Sequence, residues 1–154
     1  MTPSLLEELR QTKPFKSLEE EALLSIVRTS AVVMDEFEQK LRPYRITATQ
    51  YNVLRILRGS EPTGLGRNEL RERMLTRMPD VTRLLDRMEE AGLVQRTRGD
   101  EDRRMVGTRI TKEALRLLAQ LDKVVTDDLQ RRFQGVSPKQ LQSLIDVLGK
   151  VRQP

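Results

Sequence analysis

The residue type best suited to recognition chemistry in this chain is arginine, which is concentrated in the middle of the sequence. Residues 67–104 contain ten arginines and no lysine, whereas all seven lysines lie elsewhere. A guanidinium group is a planar fork of donors that fits phosphate oxygens and the acceptor edge of guanine. Ten arginines less nine acidic residues leave this window a net charge of only +1. Placement, not bulk charge, must therefore define any nucleic-acid surface, and an arginine-rich composition inherited from a GC-rich genome is the competing explanation.

The residue types that are missing exclude several kinds of chemistry. The 154 residues include no cysteine and no histidine. There can be no disulfide or thiolate metal site, and the commonest metal ligand and general base is absent. No phosphate-binding glycine loop, GxSxG elbow or HExxH pattern occurs. We therefore expect no catalytic residue, no metal site and no cofactor, and we do not expect an enzyme.

Composition and hydropathy also bear on partners and location. The net charge of +5 suits a nucleic-acid partner without proving one. No apolar run reaches the 18 residues that a membrane span needs, so we expect no membrane partner. The first 15 residues carry acids and lack the apolar core of a secretion signal. The sequence therefore predicts one compact cytoplasmic unit.

The arginines need a helix to present them, and the spacing of apolar residues predicts one that ends at Gly92. Pro79 fits only the first turn of a helix, so the start is expected between Thr76 and Pro79, with Thr76 and Met78 as alternative caps. The buried stripe is expected at Val81, Leu84, Leu85 and Met88, with Thr82, Arg83, Asp86 and Arg87 on the opposite side.

A β-hairpin is predicted directly after this helix. Residues 93–97 and 105–110 form the two strands, and the charged segment RGDEDRR at 98–104 joins them. A solvated loop explains such a segment by itself. After a helix of the recognition type, a protruding arginine could instead enter the DNA minor groove while a neighbouring aspartate holds it extended.

Capping residues and breakers divide the rest of the chain. Ser17 with Glu20 and Thr47 with Gln50 each form a predicted capping box, and Pro43 ends the first long helix. The expected elements are helices over 17–41 and 47–57, a loop over 59–66, a helix starting near Asn68, and helices capped by Thr111 and Ser137 that run to about 133 and 152.

The segment DVTRLLDRMEEAGLVQRTRGDEDRRMVGTRITKEA (80–114) resembles the winged-helix core of the MarR family of transcriptional regulators, as do TATQYNVLRIL (47–57) and ELRERM (69–74). Ala114 departs from the glycine often found after the post-wing threonine. The resemblance implies a mainly α, α+β winged-helix fold with about six helices and a two-stranded wing. It also implies dimerisation helices in 1–46 and 112–154 around a DNA-binding lobe at 47–111.

The resemblance also implies which residues meet DNA. Arg83 is expected on guanine or phosphate, Asp80 on cytosine or only at the helix N-terminus, and Arg103 in the minor groove. Arg87 is expected on phosphate or in an intramolecular salt bridge, and Arg96 and Arg98 are expected on phosphates. The complete predicted set is Arg77, Asp80, Thr82, Arg83 and Arg87 on the recognition helix, and Arg96, Arg98, Asp102, Arg103 and Arg104 on the wing.

The function implied is a sequence-specific double-stranded DNA-binding repressor, active as a homodimer on a pseudo-palindromic operator and released by a small aromatic or anionic effector. The effector cleft is expected near Phe37, Tyr44 and Tyr51, where Arg42 or Arg45 could pair with a carboxylate; the ligand itself is unknown. The alternative is a winged-helix module that binds another protein. Such a module would be expected to lose wing arginines and expose apolar residues on the recognition face.

Overall fold

The structure, a computed structural model, describes residues 3–98 and 106–153. Within these ranges the chain forms seven α-helices, one 3-10 turn and three strands, in agreement with the predicted winged-helix class. The elements are α1 (Leu5–Glu8), α2 (Leu18–Leu41), the 3-10 turn (Arg42–Tyr44), α3 (Ala48–Arg58), β1 (Leu65–Gly66), α4 (Arg67–Arg73), α5 (Val81–Glu90), β2 (Val94–Arg98), β3 (Val106–Ile110), α6 (Lys112–Arg132) and α7 (Pro138–Val151).

The core is built around α3. Thr47 and Gln50 form the predicted reciprocal capping box at its start, which satisfies backbone donors that the first turn leaves free. Val53, Leu54 and Leu57 are fully buried, and α3 packs against α2, α4, α6 and β3. The long helices and the winged-helix lobe therefore share one apolar core.

The sheet has one more strand than the sequence predicts. β2 and β3 form the expected antiparallel hairpin, with Val94 opposite Ile110. β1 lies on the other side of β3, with Leu65 opposite Thr108. The segment 59–66 was predicted to be a loop, and this was wrong at its end because a two-residue strand is too short to show alternation. Gly64 precedes β1 with φ +75°, and a Cβ there would lie 2.6 Å from the Thr108 carbonyl oxygen.

The start of α5 also differs from the prediction. Pro79 lies before the helix, and Asp80 is the N-cap, with its side chain accepting a 2.9 Å hydrogen bond from the Arg83 backbone N–H. A residue before proline disfavours helical backbone, and aspartate caps a helix better than methionine. The end is as predicted: Gly92 has φ +72°, and the Leu93 N–H donates to the Met88 carbonyl at 2.9 Å, which is a Schellman motif.

The long helices carry much of the exposed apolar surface. α2 and α6 are joined by Lys40–Asp128 and Arg132–Glu36 ion pairs, each at 2.6 Å, and hydrogen bonding from Lys40 lowers the pKa of Asp128.

Ser17 caps α2 as predicted, but Glu20 accepts from the Lys16 N–H, so the box is not reciprocal. α7 has no buried residue, and α1 was not predicted. Within residues 3–98 and 106–153 no helix is both long and apolar enough to cross a membrane.

Thr108 provides a test of the core. Its side chain is 1% exposed, and its hydroxyl has no hydrogen-bond partner among the described residues. We predict that Thr108→Val leaves the free energy of unfolding unchanged or raises it by about 1 kcal/mol, because it removes an unsatisfied polar group while keeping the branched shape. Urea unfolding at one fixed protein concentration measures this. Leu57→Ala is the control and should cost about 2–5 kcal/mol; a comparable loss in Thr108→Val would contradict the prediction.

Candidate nucleic-acid interface

α5 has the two-sided character expected of a recognition helix. Val81, Leu85 and Met88 are buried against the core and Leu84 is half-buried. The other side exposes the predicted polar residues, namely Thr82, Arg83, Asp86 and Arg87. Hydrophobic burial therefore fixes the rotation of the helix and directs these side chains outward.

Two of the predicted contact residues at the start of α5 already have partners within the chain. The Asp80 carboxylate accepts from the first turn of α5, which favours the helix-start role over the cytosine contact. The Thr82 hydroxyl accepts a 3.1 Å hydrogen bond from the Arg67 guanidinium at the start of α4. This bond ties the exposed face of α5 to the preceding helix and brings a further arginine beside Thr82.

Arg77 lies in the turn between α4 and α5, not on the helix itself. It is exposed and stands three residues before the N-cap Asp80. Arg83 and Arg87 are one turn apart on α5. The arginines predicted for the major groove are therefore carried by two structural elements, so the turn must be held in place as firmly as the helix.

Arg96 lies on the predicted first strand of the wing but makes contacts that the sequence pattern did not predict. From β2 its guanidinium forms ion pairs with Asp86 and with Glu89 of α5, the latter at 2.7 Å. Its backbone N–H donates to Glu89 at 3.2 Å, and hydrogen bonding to Asp86 raises the pKa of Arg96. The predicted phosphate role is untested, whereas the geometry assigns Arg96 an intramolecular one: it joins the recognition helix to the wing. The sequence signal that could have indicated these ion pairs is the presence of two carboxylates, Asp86 and Glu89, three residues apart on one helix.

A second link secures the other side of the wing. Arg109 of β3 donates two hydrogen bonds to Glu61, at 3.2 and 2.7 Å, and these lower the pKa of Glu61. Neither residue was singled out from the sequence. The pair fastens the segment before β1 to the middle of the sheet.

The tip of the wing is outside the described residues. Arg98 ends β2, with its backbone opposite Val106. Asp102, Arg103 and Arg104 fall between residues 98 and 106, so their predicted roles remain predictions.

The predicted effector region contains a packed aromatic pair. The Phe37 and Tyr51 rings meet edge to face with centroids 5.2 Å apart. Tyr51 is buried and Tyr44 is half-buried, whereas Arg42 and Arg45 are exposed. Across the described part of the chain, no group of three or more acidic residues is placed to hold a metal ion.

The link made by Arg96 can be tested by its stability effect. We predict that Arg96→Ala lowers the free energy of unfolding by about 1 kcal/mol, because two half-exposed carboxylates lose their shared cation. Urea unfolding at low and high salt measures the loss, which should shrink at high salt. Arg87→Ala is the matched control from the exposed side of α5 and should stay within about 0.5 kcal/mol. Equal effects in the two variants would contradict the assignment.

Comparison with known proteins gives the family. The MarR family model matches residues 46–106. A MarR transcription factor from Planctomyces limnophilus is 35% identical, with a TM-score of 0.66 over 88% of this chain and 98% of that one. A mutant MarR from E. coli is 25% identical, with a TM-score of 0.65 over 90% and 98%. CouR, a transcriptional repressor solved with a 23-mer DNA duplex, shares the fold at 23% identity, with a TM-score of 0.75 over 99% and 100%. The chain belongs to the MarR family of transcriptional regulators.

Proposed function

We propose that this protein is a sequence-specific double-stranded DNA-binding transcriptional regulator that acts as a homodimer on a pseudo-palindromic operator. The observation that carries the proposal is the exposed face of α5, where Arg83 and Arg87 stand opposite the buried apolar side of the helix. A helix of this kind, followed by a hairpin wing, can enter a major groove and present its side chains to base edges. The DNA-bound structure of CouR, which has the same fold, supports this.

Roles within the proposed interface follow from what each side chain already contacts. Within residues 3–98 and 106–153, neither Arg83 nor Arg87 forms an ion pair, and we expect their guanidinium groups to meet guanine edges or phosphates. Arg77 would approach from the turn, and Thr82 from the first turn of α5. Arg96 would act by holding the wing, and Arg98 would serve as a phosphate contact. The wing residues Asp102, Arg103 and Arg104 would serve the minor groove, Arg103 by insertion.

The proposed dimer rests on apolar surface that one chain leaves uncovered. α7 has no buried residue, and its apolar residue Ile145 is 58% exposed. A large exposed apolar patch marks an association site. The exposed large apolar residues of the long helices are Leu18, Leu23, Val27, Val32 and Met34 on α2, Leu129 on α6, and Leu144, Ile145, Val147 and Val151 on α7. A two-fold pairing of residues 1–46 and 112–154 would place two 47–111 lobes on successive major grooves.

The proposed mode of action is repression relieved by a small effector. A dimer that covers two half-sites roughly 10 bp apart binds only while the spacing of its two recognition helices matches the DNA. A small aromatic or anionic molecule near Phe37, Tyr44 and Tyr51 would sit beside α2 and α3, which set the position of the lobe. Arg42 or Arg45 would supply charge for a carboxylate. Such a ligand releases DNA to the extent that it prefers the non-binding arrangement.

Fluorescence anisotropy of the purified protein tests the proposal directly. The DNA immediately upstream of its own gene and a scrambled duplex of equal composition are titrated at near-physiological salt. Binding to the natural sequence at least about a thousandfold tighter establishes a specific regulator. Equal weak binding with a steep salt dependence means that only phosphates are contacted. That result contradicts the proposal and favours a protein-binding winged helix.

Arg83 gives a residue-level prediction in the same assay. We expect Arg83→Ala to lose about 1–3 kcal/mol of discrimination between the natural and scrambled duplexes, because a bidentate guanine contact is removed. Arg83→Lys should retain the salt-dependent part of binding but not the discrimination. Arg28→Ala, which removes a cation from α2, is the control. Full discrimination in Arg83→Lys would show that Arg83 contacts phosphate and does not read a base.

The dimer is tested on α7. We predict that Ile145→Glu converts the protein to a monomer in light scattering, because a charge in an apolar interface lacks a partner. Lys139→Glu, on the same helix, is the matched control and should remain dimeric. Operator affinity should fall only in Ile145→Glu, since one lobe keeps half of the contacts. A dimeric Ile145→Glu protein would contradict the assignment of the dimer interface to α7.

A further inference from the structure

The connection between α4 and α5 has little internal support. It spans residues 74–80, of which all but Met74 and Met78 are exposed. Within the described ranges 3–98 and 106–153, the backbone of residues 75–79 takes part in one hydrogen bond: the Leu75 N–H donates to the Asn52 Oδ1 at 2.9 Å. This contact joins residues 23 apart in the sequence. It therefore bridges the turn to a different part of the fold.

The two partners differ in how firmly they are held. Asn52 is carried by α3 and is followed by Val53 and Leu54, which are both fully buried, so its backbone is fixed by the core. The Leu75 side chain is 87% exposed and contributes almost no packing that could hold the turn. Met74 and Met78 are half-buried and pack against the core on either side. Between these two methionines, the hydrogen bond that the Leu75 N–H donates to Asn52 joins the backbone of the turn to α3.

The position of this turn matters for two neighbouring groups. Arg77 lies two residues after Leu75, and Asp80, three residues further, caps α5. An arginine recognises a base or phosphate through a rigid donor fork, so a shift of about 1 Å in its backbone removes the paired geometry. A freely moving turn would also have to be ordered on binding, which lowers affinity.

We propose that Asn52 is a positioning residue for DNA recognition: its side-chain carbonyl holds the Leu75 amide and thereby presents Arg77 to the DNA. This inference rests on the proposed DNA-binding function. Asn52 itself contacts no DNA in this account and acts only through the turn. Because Leu75 offers an N–H, the oxygen of the Asn52 amide must face the turn, and any replacement must keep an acceptor at that place.

Amide hydrogen exchange measures the contact without DNA. In the wild-type dimer the Leu75 amide should be protected, and Asn52→Ala should speed its exchange at least about tenfold, the effect of losing roughly 1.4 kcal/mol of local stability. Asn52→Asp keeps an acceptor and should retain the protection. Asn68→Ala removes the other asparagine of the chain, from the exposed start of α4, and should leave Leu75 unchanged. Rapid exchange of Leu75 in the wild type, or no change in Asn52→Ala, overturns the proposal.

A double-mutant cycle with DNA tests the action through Arg77. Asn52→Ala alone should weaken binding to the specific duplex about tenfold, whereas in an Arg77→Ala background it should weaken it less than about twofold. Additive losses overturn the proposal, because Asn52 would then act by another route or by general destabilisation. Wild-type binding without sequence preference overturns the proposed function and this role together. Specific wild-type binding that Asn52→Ala leaves unaltered overturns this role alone.

Discussion

Burial of α3 is the constraint on which the rest of the structure depends. Each of its fully buried leucines contributes roughly 1.5–3 kcal/mol by leaving water, and polar links extend from the same helix to α2 and α6. Glu38 of α2 accepts from the Ala48 N–H at 2.8 Å, and Arg58 forms two hydrogen bonds with Asp122 of α6, at 2.9 and 3.0 Å. The long helices and the DNA-binding lobe are thus held by one element, so a displacement of α3 relative to α2 would move the recognition helix.

The recognition helix shows why such support is needed. α5 has only ten residues, which is too short to be stable in isolation. Its helical state is imposed by the apolar stripe, by Asp80 at its start and by Gly92 at its end. The ion pairs of Arg96 connect α5 to the wing, so that the helix and the hairpin form a single unit in the absence of DNA. Pre-formed geometry of this kind reduces the ordering cost of binding.

The sequence predicted the elements whose signals are local. Thr47, Thr111 and Ser137 cap helices where expected because a capping residue acts on the backbone within three positions. It could not predict features that depend on distant partners. β1 exists because β3 passes beside it, and Arg96 turns to Asp86 and Glu89 because the hairpin folds onto α5. The start of α5 was misplaced because a proline fits both just before a helix and in its first turn. Pro79 lies before the helix because Asp80, which follows it, is the N-cap. On the candidate site, the exposed face of α5 followed from periodicity, whereas the wing tip lies outside the described residues.

The central proposal is that the exposed face of α5 reads base edges, with the two copies of α5 in a homodimer occupying two successive major grooves. Methylation interference on the upstream DNA tests it most directly, because a methyl group on guanine N7 blocks the acceptor that an arginine fork needs. The account predicts two clusters of interfering guanines whose centres lie roughly 10 bp apart, and it predicts that the Arg83→Ala protein loses sensitivity at one guanine in each cluster. Interference that is absent, or spread evenly along the duplex, would contradict base reading by α5.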